Sequence, residues 1–280
     1  MKLGVTMFAT DYAIRPDELA VACEDRGFES VWYPEHTHIP ASRRSPWPGG
    51  AELPKDYWHT HDLFVTMMAA AAATKNIKIG SGICLVIEHD PIVLAKRVAS
   101  VDQLSNGRVL FGIGGGWNAE EMENHGTPFN RRWKVLRERI EAMKEIWTKD
   151  SAEYHGEFVN FDPIWCYPKP YQKPHPPILL GTFNGGLNRV VNYCDGWIPV
   201  GFFAKDLPGS IKELGQRAER AGRKGSEFPV SIFGAPDKEA ELANLQQLGV
   251  ERAVFVAPSE GKDKILPLLD KYATLVQKFA

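Results

Sequence analysis

The stretch RVLFGIGGGWNAEE, residues 108–121, runs an apolar, strand-like segment into three consecutive glycines and then into a helix start. The reading of this turn decides the fold. Gly114, Gly116 and Ala119 satisfy a loose G-x-G-x-x-[GA] count, the spacing that cradles a dinucleotide in a doubly wound sheet. That fingerprint also needs a second strand ending in an acidic residue about 20 positions further on. Here the region is NRRWKVLRERIEAMKEIW (130–147), where Trp133, Leu136, Ile140, Met143 and Trp147 recur at three- and four-residue spacing with charged residues opposite. Such a pattern is an amphipathic surface helix, so the dinucleotide reading fails. No G-K-[ST] triplet marks a triphosphate loop either. Two readings of the glycines stay open: a backbone that approaches a flat ligand and offers it N–H groups, or a tight turn that needs only positive φ.

Outward from this turn, strand-type and helix-type patterns alternate. Strand patterns are LGVTMF (3–8), ESVWYP (29–34), IKIGSGICLVI (77–87), RVLFGIG (108–114), PILLGT (177–182), DGWIPV (195–200), FPVSIFG (228–234) and RAVFVA (252–257). Helical patterns follow them, beginning near Pro16, at about 61–74, and behind the Asp90–Pro91 cap pair, then the 130–147 stripe and segments near 186–193, 206–222, 237–248 and 262–278. Eight strands, each followed by helix, predict a (β/α)8 TIM barrel filling residues 1–280 as one domain. An open doubly wound sheet competes less well, because no glycine-rich turn follows the first strand. Two insertions interrupt the alternation. Residues 37–60 follow strand two on the face where barrel active sites form, and a loop of this length is commonly functional. Residues 150–176, before strand five, fall on the opposite face and suit a small hairpin or a subunit contact.

Composition narrows the function. Lys and Arg number 33 against 35 Asp and Glu, a net charge of −2, so no basic footprint for nucleic acid or anionic membrane exists. The four cysteines lie far apart without a C-x-x-C pair, which predicts packed thiols in a reducing compartment. The apolar start MKLGVTMFAT lacks a cleavage pattern, and no apolar run approaches the roughly 18–20 residues of a membrane span. A cytoplasmic chain acting on a small molecule is expected.

Histidines supply the first chemistry. His36-x-His38 and His59-x-His61 invite a metal reading, but the later strands carry no His and only Asp195, at the wrong end of its strand. No metal is expected. Glu35 and His36, in WYPEH, stand at the mouth end of strand two, where an imidazole can move a proton near neutral pH. No G-x-S-x-G nucleophile elbow opens a helix, so covalent hydrolysis has no support.

Taken together, GFESVWYPEHTHIP, KIGSGICLVIEHDPIVLAKRVASVDQLSNGRVLFGIGGGWNAEEM, YHGEFVNFDPIWCYPKP, HPPILLG and CDGWIP resemble the bacterial luciferase-like superfamily, and within it the deazaflavin branch that uses coenzyme F420. The resemblance covers residues 1 to about 200 and implies a barrel holding a flavin or deazaflavin at the carboxyl ends of its strands. It places a bulge with a non-prolyl cis peptide at Gly82–Ile83, with Ser81, Gly82 and Ile83 supporting the ring and Glu35 and His36 flanking it. Gly115, Gly116, Trp117 and Asn118 would line its edge or side chain, and Gly181, Thr182, Gly185 and Gly186 would hold phosphate, with Gly261 and Lys262 as a rival. Some deazaflavin members carry a carboxylate directly after the glycines, where this chain has Trp117; Glu120 and Glu121 come later. The implied reaction is hydride transfer between coenzyme F420 and a small organic substrate, with His36 carrying the proton and Trp47, Tyr57 and Trp58 closing over the site. An FMN-dependent monooxygenase using reduced flavin and a non-catalytic flavin-binding protein are the alternatives, and the family habit implies a homodimer.

Overall fold

A computed structural model describes residues 1–50, 52–201 and 206–279. The eight expected strand segments all form, as β1 (Lys2–Thr6), β2 (Ser30–Tyr33), β3 (Lys78–Ser81) and β4 (Val109–Gly114), then β7 (Ile178–Gly181), β8 (Gly196–Ile198), β9 (Ser231–Phe233) and β10 (Arg252–Val256). They pair in parallel in the order β8-β7-β4-β3-β2-β1-β10-β9. Bridges Trp197↔Val230 and Val200↔Phe233 join the two ends of that order and close the sheet into a barrel. The remaining pair, β5 (Ala152–His155) and β6 (Asn160–Ile164), is the antiparallel hairpin anticipated in the 150–176 insertion.

Helices wrap the outside: α1 (Pro16–Asp25), α2 (Asp56–His59), α3 (Leu63–Ala73), α4 (Pro91–Leu104), α5 (Ala119–Asn124) and α6 (Arg132–Thr148), then α7 (Leu187–Tyr193), α8 (Leu207–Arg220), α9 (Glu239–Gln247) and α10 (Lys262–Phe279). Their starts follow the capping chemistry of the sequence. Asp62 accepts from the Val65 amide at 2.9 Å, and Asp90, ahead of Pro91, accepts from the Val93 amide at 2.9 Å. None of the helices is long and apolar enough to cross a membrane, among the described residues.

Two apolar layers result from the strand alternation. Trp32, Leu110, Leu179, Ile198, Phe233 and Val254 fill the barrel interior, while the outward residues join the helices in a larger shell. Trp32 fits because its neighbours are glycines: a Cβ on Gly80 would stand 2.0 Å from its Cε3, and one on Gly4 3.2 Å from its Nε1. Its indole N–H donates to Ser30 Oγ at 2.9 Å, so the interior plug leaves no unpaired donor.

One sequence expectation is revised in extent. The apolar run 77–87 is strand only to Ser81. The Gly82–Ile83 peptide is cis, as the resemblance implied, Cys84 makes a single bridge to Ile113, and Val86–Glu88 turn into a short 3₁₀ helix. A continuous apolar run looks the same whether it is buried as strand or as a packed turn.

At the amino ends of the strands two arginines tie the floor. The buried Arg108 guanidinium donates to the carbonyls of Ala71 (2.6 Å), Thr74 (3.1 Å), Ile77 (3.0 Å) and Ser105 (2.8 Å). Three of those carbonyls lie between the body of α3 and the start of β3 and the fourth follows α4, so one side chain ties these elements to β4. Arg252 meets Glu29 through two bonds of 2.6 and 2.7 Å and donates to Ser231 Oγ at 3.0 Å.

Candidate active site

At the opposite, carboxyl rim, β2 runs out through Pro34 into Glu35 and His36, and alternation sends these two side chains to different places. Glu35 turns into the protein, where its carboxylate accepts from the Leu85 amide at 2.6 Å and from His89 Nε2 at 2.9 Å. Both of its oxygens are engaged, and it is 6% exposed, so its evident work is to anchor the turn that follows β3. His36 turns toward the rim. Its ring lies nearly parallel to Phe8, with centroids 6.5 Å apart, and its centroid is 5.0 Å from that of Tyr57 and 5.9 Å from that of Trp117, in a T-shaped arrangement.

Glu121 holds this imidazole from behind. Its carboxylate oxygens lie 2.8 and 3.0 Å from His36 Nδ1, and the Glu121 side chain is fully buried. A carboxylate at Nδ1 places the hydrogen there in the neutral ring and leaves Nε2 as the acceptor. No hydrogen bond to Nε2 occurs among the described residues. A positioned base with one free nitrogen inside an aromatic wall is an arrangement for proton transfer. Glu121 reaches His36 from the first turn of α5, whose N-cap Asn118 accepts from the Glu121 amide through Oδ1 at 3.3 Å.

The neighbouring Glu120 fastens the long loop. It accepts from the Ser45 amide at 3.0 Å and from the Ser45 hydroxyl, and it pairs with Arg44 at 3.3 Å. The Ser45 hydrogen bond, ahead of the Arg44 charge, holds the Glu120 carboxyl down to about 2. Within the loop, Trp47 donates to the Tyr57 hydroxyl at 3.0 Å, which sets Tyr57 against His36; Trp58 stays half exposed. A cleft of about 570 Å³ lies in this loop beside Arg43, Trp47, Leu53 and Trp58.

The triple glycine divides its work. A Cβ on Gly114 would stand 1.8 Å from Ile83 Cδ1, one on Gly115 2.8 Å from the Trp133 ring, and Gly116, at φ +62°, would meet Met122 at 2.7 Å. Only Gly116 needs the left-handed backbone; the other two make room for Ile83 and Trp133. Ser81 is buried and donates to the Gly112 carbonyl at 2.8 Å, Gly82 packs under Phe233, and Ile83 faces the barrel mouth. Asn118 caps α5. On the next strands Gly181 sits against Ile83, the Gly186 amide is bonded to the Phe183 carbonyl at 2.8 Å, and nothing lies within 4 Å of a Cβ on Gly185. At the rival position after β10, Lys262 forms an exposed ion pair with Glu18 at 3.1 Å. The histidine pairs separate: His38 meets Thr37, while His59 meets Asp11 at 2.9 Å.

Two cations near the glycine turn were not anticipated. The Arg132 and Arg189 guanidinium carbons lie 5.5 and 4.2 Å from the centre of the Trp133 ring, the ring that covers Gly115. No carboxylate pairs with either among the described residues. Burial and then the Arg189 charge push Arg132 below its ordinary range, and Arg132 Nε is a buried donor without a partner. Sequence offered only basic residues on an amphipathic helix; their meeting with α7 depends on barrel order.

The comparisons give the class to which this barrel belongs. The model of the luciferase-like monooxygenase family matches residues 13–246, and the chain belongs to that family. An uncharacterized protein of Mycobacterium tuberculosis is 40% identical over 280 residues, covering 98% of each chain. An F420-dependent glucose-6-phosphate dehydrogenase of Amycolatopsis mediterranei is 30% identical over 236 residues, 79% of this chain and 65% of that protein. Among solved structures, a monooxygenase from Streptomyces bottropensis superposes with a TM-score of 0.78 at 18% identity over the whole of both chains, a likeness of fold. Relatives of this chain include an F420-dependent dehydrogenase and an FMNH2-dependent monooxygenase, and members of the family are mostly oxidoreductases or monooxygenases.

Proposed function

We propose that this protein is an F420-dependent oxidoreductase that moves a hydride between the deazaflavin and a small organic substrate, with His36 as the proton carrier. The observation that carries this reading is His36 itself: its Nδ1 is fixed by buried Glu121, and its ring stands among Phe8, Tyr57 and Trp117 at the rim. A passive flavin store has no use for a positioned acid–base pair.

The residues present fit such a cofactor. Arg132 and Arg189, which no carboxylate neutralises among the described residues, suit phosphate, and Gly185, ahead of α7, has open space at its Cβ position. Ile83, Gly115, Gly116 and Trp117 would border the ring system, and Gly181 and Thr182 lie at the end of β7 on the way to Gly185. Bound there, a deazaflavin supplies the hydride chemistry that no side chain offers. The chain's own part is to bind, to exclude water under the loop that Glu120 fastens, and to hold a base at His36 Nε2. The likeness over 79% of the chain to an F420-dependent dehydrogenase favours this cofactor. A reduced-flavin monooxygenase is the second reading, favoured by the monooxygenase of matching fold.

Equilibrium dialysis of the purified protein against coenzyme F420 and, separately, FMN tests the assignment. Tighter retention of F420 is expected; preference for FMN would replace the first reading by the second.

A further inference from the structure

One carboxylate clamps the long loop on both sides of a single arginine. Glu120 accepts from the Ser42 hydroxyl at 3.4 Å and from the Ser45 amide at 3.0 Å, and Arg44 pairs with it at 3.3 Å. Arg43 takes no part in this knot. Its amide closes a turn onto the Pro40 carbonyl at 3.3 Å, and its guanidinium carbon lies 5.8 Å from the centre of the Trp117 ring. The guanidinium is exposed, and no hydrogen bond or ion pair engages it among the described residues. The backbone here is also unusual. Arg43 has φ +50°, and the one other described non-glycine residue with positive φ is Asn106. Asparagine tolerates that region through its short polar side chain, whereas arginine has no such aid. The conformation persists because the Glu120 contacts on either side fix the loop around it.

What this strained turn presents is a free cation close to the proposed chemistry. Trp117, the ring under Arg43, is also the ring 5.9 Å from His36, so the guanidinium stands within a small molecule's length of the imidazole. The cleft beside it is lined by Arg43, Arg44, Trp47, Glu52, Leu53 and Trp58. Of its two cations, Arg44 is already neutralised by Glu120. No ion pair joins Glu52 to Arg43 among the described residues, but its carboxylate in the same cleft opposes a ligand of higher negative charge. One unpaired guanidinium fork matches one carboxylate through two parallel N–H bonds, and the indole rings beside it suit a hydrocarbon body.

We propose that Arg43 is a substrate-binding residue that selects small organic monoanions, seating their carboxylate on its guanidinium and their hydrocarbon body along Trp117, with the reacting end toward His36. Its use in turnover rests on the reading of His36 as proton carrier. Arg43 makes and breaks no bond in this role. It fixes one end of the molecule, so that the other end is held where the imidazole can reach it.

The test needs neither cofactor nor the natural substrate. In the full-length protein carrying ¹⁵N-labelled tryptophan, NMR follows the Trp117 indole N–H, assigned by its loss in Trp117→Phe. Sodium benzoate and benzamide, its uncharged analogue of the same shape, are titrated separately at constant ionic strength. Benzoate is expected to move the Trp117 resonance and to bind at least about tenfold more tightly than benzamide. Arg43→Gly accepts φ +50° without the side chain, so the loop is kept while the preference for benzoate disappears; Arg43→Lys keeps part of it. Benzamide binding as tightly as benzoate, a Trp117 resonance that benzoate leaves in place, or wild-type preference in Arg43→Gly overturns the proposal. Tighter binding of phenyl phosphate than of benzoate overturns it too, since the site would then favour a dianion. If benzoate is selected as expected yet the protein retains neither F420 nor FMN, the functional reading fails and the carboxylate site stands. Retention of F420 without charge discrimination has the opposite meaning.

Discussion

At the residue scale, the proposed role of His36 rests on the buried carboxylate that holds its ring. Glu121 orients His36, so removing the imidazole should remove the acid–base contribution: His36→Ala is expected to lower turnover about 10²- to 10⁴-fold with little change in cofactor retention. Unchanged turnover in steady-state assays would end that role. Glu88, raised by its burial and by the charges of Glu121 and Glu35, makes a separate prediction about stability. The folded chain keeps its proton up to about pH 9, whereas the unfolded chain releases it near the ordinary 4.5. Between those values the unfolded state binds fewer protons, so folding weakens as pH rises. Glu88→Gln should therefore exceed the wild type in thermal stability by at least about 1 kcal/mol at pH 8, with the gap closing below pH 4.5. Parallel melting curves across that range would contradict it. His36 was legible because it stands where β2 must end, at the functional face of a barrel. Glu121, Arg132 and Arg189 were not, because nothing in their own segments says which distant ring they will meet.

At the scale of elements, glycine is read best through what its missing Cβ admits. The sequence marks 114–116 as one motif, yet Gly114 yields to Ile83, Gly115 to Trp133, and only Gly116 to a positive φ. Gly80 has the same logic inside β3, where a methyl would stand 2.0 Å from Trp32. Gly80→Ala should thus cost about 1–3 kcal/mol through overpacking. Gly215, in α8 with nothing within 4 Å of its Cβ position, gives the contrast: Gly215→Ala should stabilise by up to about 1 kcal/mol, since only helix propensity changes. Urea midpoints of the two variants decide the matter, and equal shifts would refute the packing account. Boundaries were less legible than element types. The run 77–87 gives no sign that a turn begins at Gly82, because both the strand and the turn are buried.

At the scale of the whole molecule, eight β-strand segments with helices between them sufficed to foresee the barrel, since closure follows from count and from parallel order. The charge network that ties its floor was invisible, because Glu29 and Arg252 are 223 residues apart. Burial would raise Glu29, but the Arg252 hydrogen bonds hold it below the ordinary carboxylate range. A lowered folded value adds stability above the unfolded pKa that disappears as pH falls through the folded one. Arg252→Ala should cost about 3–5 kcal/mol at pH 7, because it strands Glu29 and Ser231, and the penalty should shrink below pH 4. Denaturation at the two pH values measures this, and an equal loss at both would contradict the pairing.

The placing of indoles around the barrel has an optical consequence. Trp32 and Trp197 are sealed from water, whereas Trp117 stands edge-on to His36 and Trp47 reaches it through Tyr57. Light absorbed by the outer pair is emitted next to any planar chromophore that settles at the rim, and would be passed to it. The protein thus carries its own lamp for watching ligands arrive, with no label attached.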